Sequence, residues 1–164
     1  WVHRHHQYRG YGTQLAPTSG SMGYGFPAAV AAKLLHPDRP VVCFCGDGDF
    51  LMTGQELATA VRYQLPVVAL IVNNGMYGTI RMHQEMHYPG RAYGTDLVNP
   101  DFAALARAYG AHGESVARTE DFAAAFARAA AADKPAVLDL KVDPEAITPR
   151  STIADLRAAA KTAH

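Results

Sequence analysis

The sequence predicts an α/β fold in which a doubly wound parallel sheet carries helices on both faces. Two strongly apolar runs, residues 41–45 and 67–72, have the length and composition of buried strands. Between them, residues 54–64 place apolar side chains at helical spacing. A strand, a helix and a second strand in this order form a parallel crossover unit. No Asn-Gly pair or similar hairpin signal separates two strand patterns, which favours a parallel sheet.

The rest of the chain continues the alternation of helix and strand. A loop with several glycines and prolines is predicted around residues 10–17 and a second loop at 88–95. Either Asn99 or Asp101 is predicted to cap the helix that runs to Tyr109. Helices are predicted at residues 2–8, 23–35, 54–64, 77–87, 101–109 and 119–129, and after Pro149. Strands are predicted at residues 41–45, 67–72, 111–116 and 136–142.

Composition limits the classes of protein to which the chain can belong. A length of 164 residues fits a single domain with a sizeable core. The 15 basic and 15 acidic residues cancel, so no nucleic-acid partner is expected. No apolar run approaches a membrane span, and Cys43 and Cys45 are expected to be reduced core residues of a cytoplasmic protein. The chain begins at Trp1 rather than Met, so we expect it to be part of a longer protein.

Polar blocks follow the two best-defined strands. The block Gly46-Asp47-Gly48-Asp49 follows the first strand, and Asn73-Asn74-Gly75 follows the second. Alone, the first block would favour a tight turn and the second a polar loop. Neighbouring parallel strands lie roughly 5 Å apart, so together the blocks bring a carboxylate and an amide oxygen to one sheet edge. Such oxygen ligands, beside glycines with open N–H groups, predict Mg²⁺ bridged to a diphosphate.

A third block adds a resemblance to a known family. Residues 20–27, Gly-Ser-Met-Gly-Tyr-Gly-Phe-Pro, precede the first long helix. With all three blocks, the chain resembles the C-terminal thiamine diphosphate-binding domain of the acetolactate synthase, pyruvate oxidase and benzoylformate decarboxylase family. The resemblance covers nearly the whole chain and implies that residues 1–164 form one domain, on the diphosphate side of the site, of a longer enzyme. The pattern of the two polar blocks is highly specific for the cofactor, but much less specific for the reaction.

The resemblance implies a role for individual positions. Asp47 and Asn74 would bind Mg²⁺ through side-chain oxygens, and Met76 would bind it through its main-chain carbonyl. Met22 would press the aminopyrimidine towards the thiazolium, so that the 4′-amino group comes close to C2. The full set of implied cofactor contacts is Gly20, Ser21, Met22, Gly46, Asp47, Gly48, Asp49, Asn74, Met76, Tyr77, Gly78 and Thr79.

Two departures from the family pattern bear on the site. Asp49 stands where the family commonly has Ser or another small residue, and we expect its carboxylate to cap the following helix. The family's activating glutamate belongs to a separate pyrimidine-binding domain, and no residue here matches it. Glu56 and Glu85 are interpreted as solvated or helix-face charges. The chain is therefore expected to hold no catalytic residue and to be inactive as an isolated domain.

The resemblance implies an acetolactate synthase-like 2-oxo acid decarboxylase or carboligase that acts on a substrate such as pyruvate. The implied partner is a pyrimidine-binding domain of the same or another subunit, within a homodimer or homotetramer. FAD in a further, middle domain is compatible with the resemblance. His83 replaces a tryptophan expected in acetolactate synthases, which argues against branched-chain amino-acid synthesis; an exposed helix face is favoured over substrate contact for this histidine.

Two alternatives belong to other classes of protein. The first is a subunit of a 2-oxo acid ferredoxin oxidoreductase, which would need cysteines for iron–sulfur clusters. Cys43 and Cys45, inside a strand, do not supply them. The second is a non-enzymatic nucleotide-binding module on the same architecture. The presence of both Asp47 and Asn74 disfavours that reading.

Overall fold

The computed structural model describes residues 2–162 as a parallel sheet covered by helices. The strands are β1 (Val41–Gly46), β2 (Val67–Asn73), β3 (His112–Val116) and β4 (Ala136–Lys141), in the order β1-β2-β4-β3 with every pair parallel. The helices are α1 (Val2–His5), α2 (Gly25–Leu35), α3 (Asp47–Thr53), α4 (Leu57–Arg62), α5 (Gly78–His87), α6 (Phe102–Ala108), α7 (Phe122–Ala131) and α8 (Ile153–Thr162). Within these residues, no helix is long and apolar enough to cross a bilayer.

Apolar side chains cover both faces of the central strands, which confirms the predicted fold class. On one face, Phe26, Phe50 and Phe102 pack edge to face, with successive ring centroids 5.3 and 5.7 Å apart. On the other face, α7 packs on Leu70 and Leu138. Strand β2 is buried along almost its whole length, as its unbroken apolar sequence predicts.

The outer face of β1 departs from this pattern. β1 lies at one edge of the sheet, and its alternate residues Val42 and Phe44 are exposed, Phe44 by 53%. Cys43 and Cys45 point to the opposite, buried face and are free thiols, as predicted. A hydrogen bond with Cys43, together with burial, holds the pKa of the Cys45 thiol well above its ordinary value. These thiols therefore have the properties of inert core residues.

The helix predicted at residues 54–64 was placed too late in the chain. Helix α3 already begins at Asp47, directly after β1, and a 3₁₀ turn at Gly54–Glu56 separates it from α4. The Phe50 ring occupies the space beside Gly54, where a Cβ would lie 2.7 Å from a ring carbon. The residues of the glycine-rich motif form the first turn of α3, and the preceding Gly46 is extended.

The interpretation of Glu85 as a solvated charge was wrong. Its side chain is only 1% exposed and accepts two hydrogen bonds of 2.8 Å from Arg157, which lies on α8. Arg81 and the Gly90 N–H complete the set of donors to the carboxylate. The hydrogen bonds from Arg157, followed by those from Gly90 and Arg81, outweigh burial and lower the pKa of Glu85 from 4.5 to about 2. Helical spacing along α5 alone could not reveal that α8 covers this residue.

We expect the substitution Arg157→Ala to weaken the attachment of α8 to α5. Removal of two charge-assisted hydrogen bonds should lower the opening free energy of α8 by roughly 1.5–3 kcal/mol. Because the pKa of Glu85 is lowered on folding, the pair should stabilise the structure above about pH 4.5 and lose that effect as the pH falls towards 2. Amide hydrogen exchange in the full-length protein measures both effects.

Arg128→Ala is the matched control for this prediction. Arg128 also pairs with a glutamate, Glu114, but its own side chain is 55% exposed. The loss of such a solvated pair should cost no more than about 1 kcal/mol. Equal effects of the two substitutions on α8 would contradict the role given to the buried pair.

Candidate functional site

A cleft of about 450 Å³ lies at the carboxyl edge of the sheet, where β1 and β2 end. The parallel register sets Gly46 beside Val72, so the residues that follow the two strands meet there. Most of the predicted site residues line this cleft, namely Met22, Gly46, Asp47, Gly48, Asp49, Asn74, Met76, Tyr77, Gly78 and Thr79. Gly20 and Ser21 instead belong to an exposed turn outside the lining, and their contacts remain predictions.

Asp47 is a buried residue of the cleft that accepts several hydrogen bonds. Its side chain is 2% exposed, although it is the first residue of α3. Oδ1 accepts a hydrogen bond of 3.0 Å from the Gly48 N–H. Oδ2 accepts one of 2.8 Å from the Gly75 N–H and one of 2.6 Å from Asn99 Nδ2. The carboxylate thus joins the end of β1 to the segments that follow β2 and precede α6.

The backbone after β2 is held in place by a short antiparallel pairing. Tyr77 N–H donates to the Thr95 carbonyl and Leu97 N–H donates to the Gly75 carbonyl, both at 2.9 Å. Backbone groups alternate along an extended segment, so the N–H and carbonyl of Met76 point away from residues 95–97. The Met76 N–H accordingly donates to Asn74 Oδ1 at 3.2 Å.

Two helix starts and two glycines shape the side of the cleft where the diphosphate is predicted to bind. Helices α3 and α5 begin at Asp47 and Gly78, where backbone N–H groups have no partner within the helix. A Cβ on Gly48 would lie 2.5 Å from the Tyr77 ring, and one on Gly78 would lie 2.9 Å from Asn74 Nδ2. Only glycine therefore fits at these two positions without displacing a neighbour.

These donors fit the predicted cofactor and metal. A carboxylate, an amide oxygen and a main-chain carbonyl are the hard oxygen ligands that Mg²⁺ prefers. Within residues 2–162, no three His, Cys, Asp or Glu side chains form a metal-binding group, so the candidate site rests on the single carboxylate of Asp47. One protein charge leaves room for a diphosphate to supply the remaining anionic ligands.

The prediction that Asp49 caps a helix was wrong. Gly46 occupies the N-cap position of α3 without a side-chain cap, and Asp49 is the third residue of that helix. Its Oδ1 instead accepts a hydrogen bond from the Gly23 N–H, and Thr53 Oγ1 donates to the Gly23 carbonyl at 2.9 Å. Gly23 has a φ of +81°, and a Cβ there would lie 2.9 Å from the Cβ of Met52. Helix α3 thereby fixes the loop that carries Met22.

Sequence reasoning missed three polar residues behind the cleft. Asn99 does not cap α6, because Asp101 does so by accepting from the Ala104 N–H at 2.8 Å. Asn99 Nδ2 donates to Asn73 Oδ1 as well as to Asp47, and Asn73 Nδ2 donates to Asp139 Oδ1. The signal available in the sequence was a charged residue, Asp139, inside the apolar strand β4.

His83 lies on an exposed part of α5, as favoured by its position in the sequence. Its ring stacks on that of His87, with the centroids 6.2 Å apart. It is not among the described residues that line the cleft. The structure thus gives this histidine no contact with the candidate site.

Comparison with known proteins assigns the family. The sequence model for the thiamine pyrophosphate enzyme family, C-terminal TPP-binding domain, matches residues 1–140. The chain belongs to this family. The match confirms the resemblance that the motifs indicated and supports thiamine diphosphate as the cofactor of the cleft.

Curated relatives and a solved structure agree with this family. The chain is 40% identical over 125 residues to the acetolactate synthase isozyme 2 large subunit of Escherichia coli (strain K12), covering 76% of this chain and 23% of the relative. It is 42% identical to the acetolactate synthase large subunit of Parasynechococcus marenigrum (strain WH8102), covering 75% of this chain and 20% of the relative. The Rhodococcus jostii RHA1 thiamine diphosphate-dependent 4-hydroxybenzoylformate decarboxylase superimposes with a TM-score of 0.73 and 42% identity, over 77% of this chain and 24% of that one. The chain thus spans between a fifth and a quarter of the length of these proteins.

We expect Asp49→Ala to loosen the Met22 loop. Loss of a hydrogen bond to a charged acceptor removes roughly 1.5–3 kcal/mol, so the Gly23 amide should exchange about tenfold faster or more. Asp49→Asn keeps an acceptor oxygen at the same distance and should preserve most of the protection. Hydrogen exchange of residues 18–25 in the full-length protein measures this. Equal protection of the Gly23 amide in Asp49→Ala and in the parent would show that Asp49 does not hold the Met22 loop.

Proposed function

We propose that this chain is the cofactor-binding domain of a thiamine diphosphate- and Mg²⁺-dependent 2-oxo acid decarboxylase or carboligase of the acetolactate synthase type. The observation that carries the proposal is the convergence, in one cleft, of Asp47, Asn74 and Met76 beside the first turns of α3 and α5. Membership of the thiamine pyrophosphate enzyme family supports it. Pyruvate is a representative substrate of this proposed class.

Each part of the cleft has a proposed task. Asp47, Asn74 and the Met76 carbonyl hold Mg²⁺, and backbone N–H groups at Gly48, Asp49, Gly78 and Thr79 hold the diphosphate. Met22, which is partly exposed in the cleft, supplies an apolar surface against which the cofactor bends. The bound cofactor supplies an electron sink for cleavage of the bond between the carboxylate and the carbonyl carbon. The protein contributes position and charge compensation.

The proposal places the activating glutamate on another domain. Among the described residues that line the cleft there is no glutamate. The Glu56 carboxylate accepts a hydrogen bond from Thr59, and Glu85 is held by two arginines away from the cleft. A pyrimidine-binding domain of the same or another subunit, in a homodimer or homotetramer, would complete the site. The isolated domain would be inactive, and FAD, if bound, would belong to a further domain.

The alternatives receive less support from the chain. A ferredoxin oxidoreductase subunit needs accessible cysteine ligands, whereas Cys43 and Cys45 are buried in β1. Loss of Asp47 or Asn74 would have favoured a nucleotide-binding module without catalysis, and both residues are present. Buried, reduced thiols are consistent with the proposed cytoplasmic location.

We expect Asp47→Ala to weaken the coupled binding of Mg²⁺ and thiamine diphosphate. The variant removes the only charged ligand, so the affinity for the cofactor in the presence of Mg²⁺ should fall by well over tenfold, or more than about 1.4 kcal/mol. Isothermal calorimetry on the full-length protein measures this. Asp101→Ala, which removes an aspartate that caps α6, is the control and should leave the affinity within twofold. An unchanged affinity in Asp47→Ala would refute the proposed metal site.

We expect Met22 to act through its shape rather than through binding energy. Met22→Leu should retain proton exchange at C2 of bound thiamine diphosphate, whereas Met22→Ala should slow it by more than tenfold. Cofactor affinity should change only a few-fold in both variants, because the diphosphate end supplies most of the binding. Exchange of the C2 proton, followed by NMR in the full-length protein, separates the two effects. Equal exchange in the parent and Met22→Ala would assign Met22 to packing alone.

A further inference from the structure

A chain of polar side chains runs behind Asp47 along the carboxyl edge of the sheet. We call Asn99, Asn73, Asp139 and Lys141 the Asn99 network. Asn99 Nδ2 lies 2.6 Å from Asp47 Oδ2 and 3.0 Å from Asn73 Oδ1. Asn73 Nδ2 donates to Asp139 Oδ1 at 2.8 Å, and Lys141 Nζ lies 2.7 Å from Asp139 Oδ2. The network connects the end of β1 to β2 and β4.

The carboxylates of Asp47 and Asp139 determine how the side-chain amides of Asn99 and Asn73, which lie between them, are oriented. Asp47 and Asp139 can only accept hydrogen bonds when ionised, so each amide must turn its NH₂ group towards the carboxylate that it contacts. Asn73 then presents its oxygen to Asn99, which donates one hydrogen to Asn73 and the other to Asp47. If either amide were reversed, its oxygen would face a carboxylate oxygen of Asp47 or Asp139 and the hydrogen bond would be lost. The orientation of the Asn99 amide is therefore determined by Asn73 on β2 and Asp139 on β4.

The network neutralises the charge of Asp139 but not that of Asp47, which lines the cleft. Asp139 is 1% exposed and is paired with Lys141, whose side chain reaches solvent. Among residues 2–162, the donors to Asp47 are the neutral groups of Gly48, Gly75 and Asn99. A carboxylate at 2% exposure without a cationic partner is costly, and a bound cation would offset that cost.

The two oxygens of Asp47 are not equivalent. Oδ2 accepts from two donors, the Gly75 N–H and Asn99 Nδ2. In the part of the chain that the structure describes, Oδ1 accepts only from the adjacent Gly48 N–H, at a longer 3.0 Å. Asn99 is held for this contact at a cost, because its own Oδ1 is buried without a partner among the described residues. A packing role alone would not require a polar side chain here.

We propose that Asn99 is a positioning residue that holds Asp47 Oδ2 towards the protein and leaves Oδ1 to bind the divalent cation. Asn73 and Asp139 keep the Asn99 amide in the required orientation. This inference rests on the proposed metal site and adds residues outside the motif to it. Outer-shell partners of this kind commonly change metal affinity by about tenfold or more when they are removed.

The test is the affinity of the full-length protein for Mn²⁺, measured by electron paramagnetic resonance at a fixed concentration of thiamine diphosphate. Asn99→Leu preserves the approximate volume and removes the donor, and it should weaken Mn²⁺ binding about tenfold. Asn73→Leu releases the Asn99 amide and should weaken binding about threefold or more. If the Leu variants do not fold, Asn99→Ala and Asn73→Ala replace them, with the same expectation.

Asp101→Ala is the matched control for a merely structural role. It removes the α6 cap two residues from Asn99 and should reduce stability by about 1 kcal/mol, but it makes no contact with Asp47. Its Mn²⁺ affinity should stay within twofold of the parent. Asn99→Leu should also have no further effect when it is combined with Asp47→Ala, because both changes act on one interaction.

The outcomes separate this proposal from the proposed function. Parental Mn²⁺ affinity in Asp47→Ala would overturn the metal site itself. If Asp47→Ala weakens Mn²⁺ binding but Asn99→Leu and Asp101→Ala have the same Mn²⁺ affinity, only the role of Asn99 would be overturned. Independent, additive effects of Asp47→Ala and Asn99→Leu would overturn it as well.

Discussion

The carboxylate of Asp47 is the interaction on which the arrangement of the cleft depends. It accepts hydrogen bonds from the first turn of α3, from the Gly75 N–H after β2 and from Asn99 before α6. Three segments that are distant in sequence are thereby tied to one buried charged group. The parallel pairing of β1 with β2 makes this possible, because it brings both strands to an end at the same edge.

The same carboxylate links stability to ligand binding. A buried charge surrounded by neutral donors is only partly compensated, and a cation with a diphosphate would complete the compensation. The candidate metal ligands and the first turns of α3 and α5 line the same cleft, so the metal and the anion are expected to bind as a pair. Helix α3 contributes twice, since its first turn faces the cleft while Asp49 and Thr53 hold the loop of Met22.

The domain also shows how a rigid scaffold supports a site that it does not complete. Helix α5, which begins at the cleft, is anchored at its other end by the buried pair of Glu85 and Arg157. The Met22 loop is held by hydrogen bonds to the side chains of Asp49 and Thr53, and the segment around Met76 by backbone–backbone hydrogen bonds. Such constraints preorganise the proposed diphosphate side of the site, so that the groups proposed to lie on another domain meet a fixed partner.

The sequence by itself determined the class of fold and the place of the site. The apolar run of β2 could be predicted as a strand because burial on both faces of a parallel strand demands unbroken hydrophobicity. The run of β1 is equally apolar, although its outer face is exposed. Asp47 and Asn74 could be placed together because strand pairing converts a spacing in sequence into proximity. Glycines at positions 48 and 78 stand where a Cβ would meet a neighbouring side chain, which explains their place in the motifs.

The tertiary structure alone decided the partners of the polar side chains. Asp49 had a plausible local role as a cap, but the nearest donor proved to be the Gly23 N–H of a loop 26 positions earlier. By sequence, Asn99 and Asp101 were equally suitable as the cap of α6. In the structure Asp101 caps α6, whereas Asn99 donates a hydrogen bond to Asp47. Glu85 became a buried ion because α8, 72 positions later at Arg157, folds over it. Local rules describe hydrogen bonds within a few residues, whereas these contacts depend on how the helices and loops pack on the sheet.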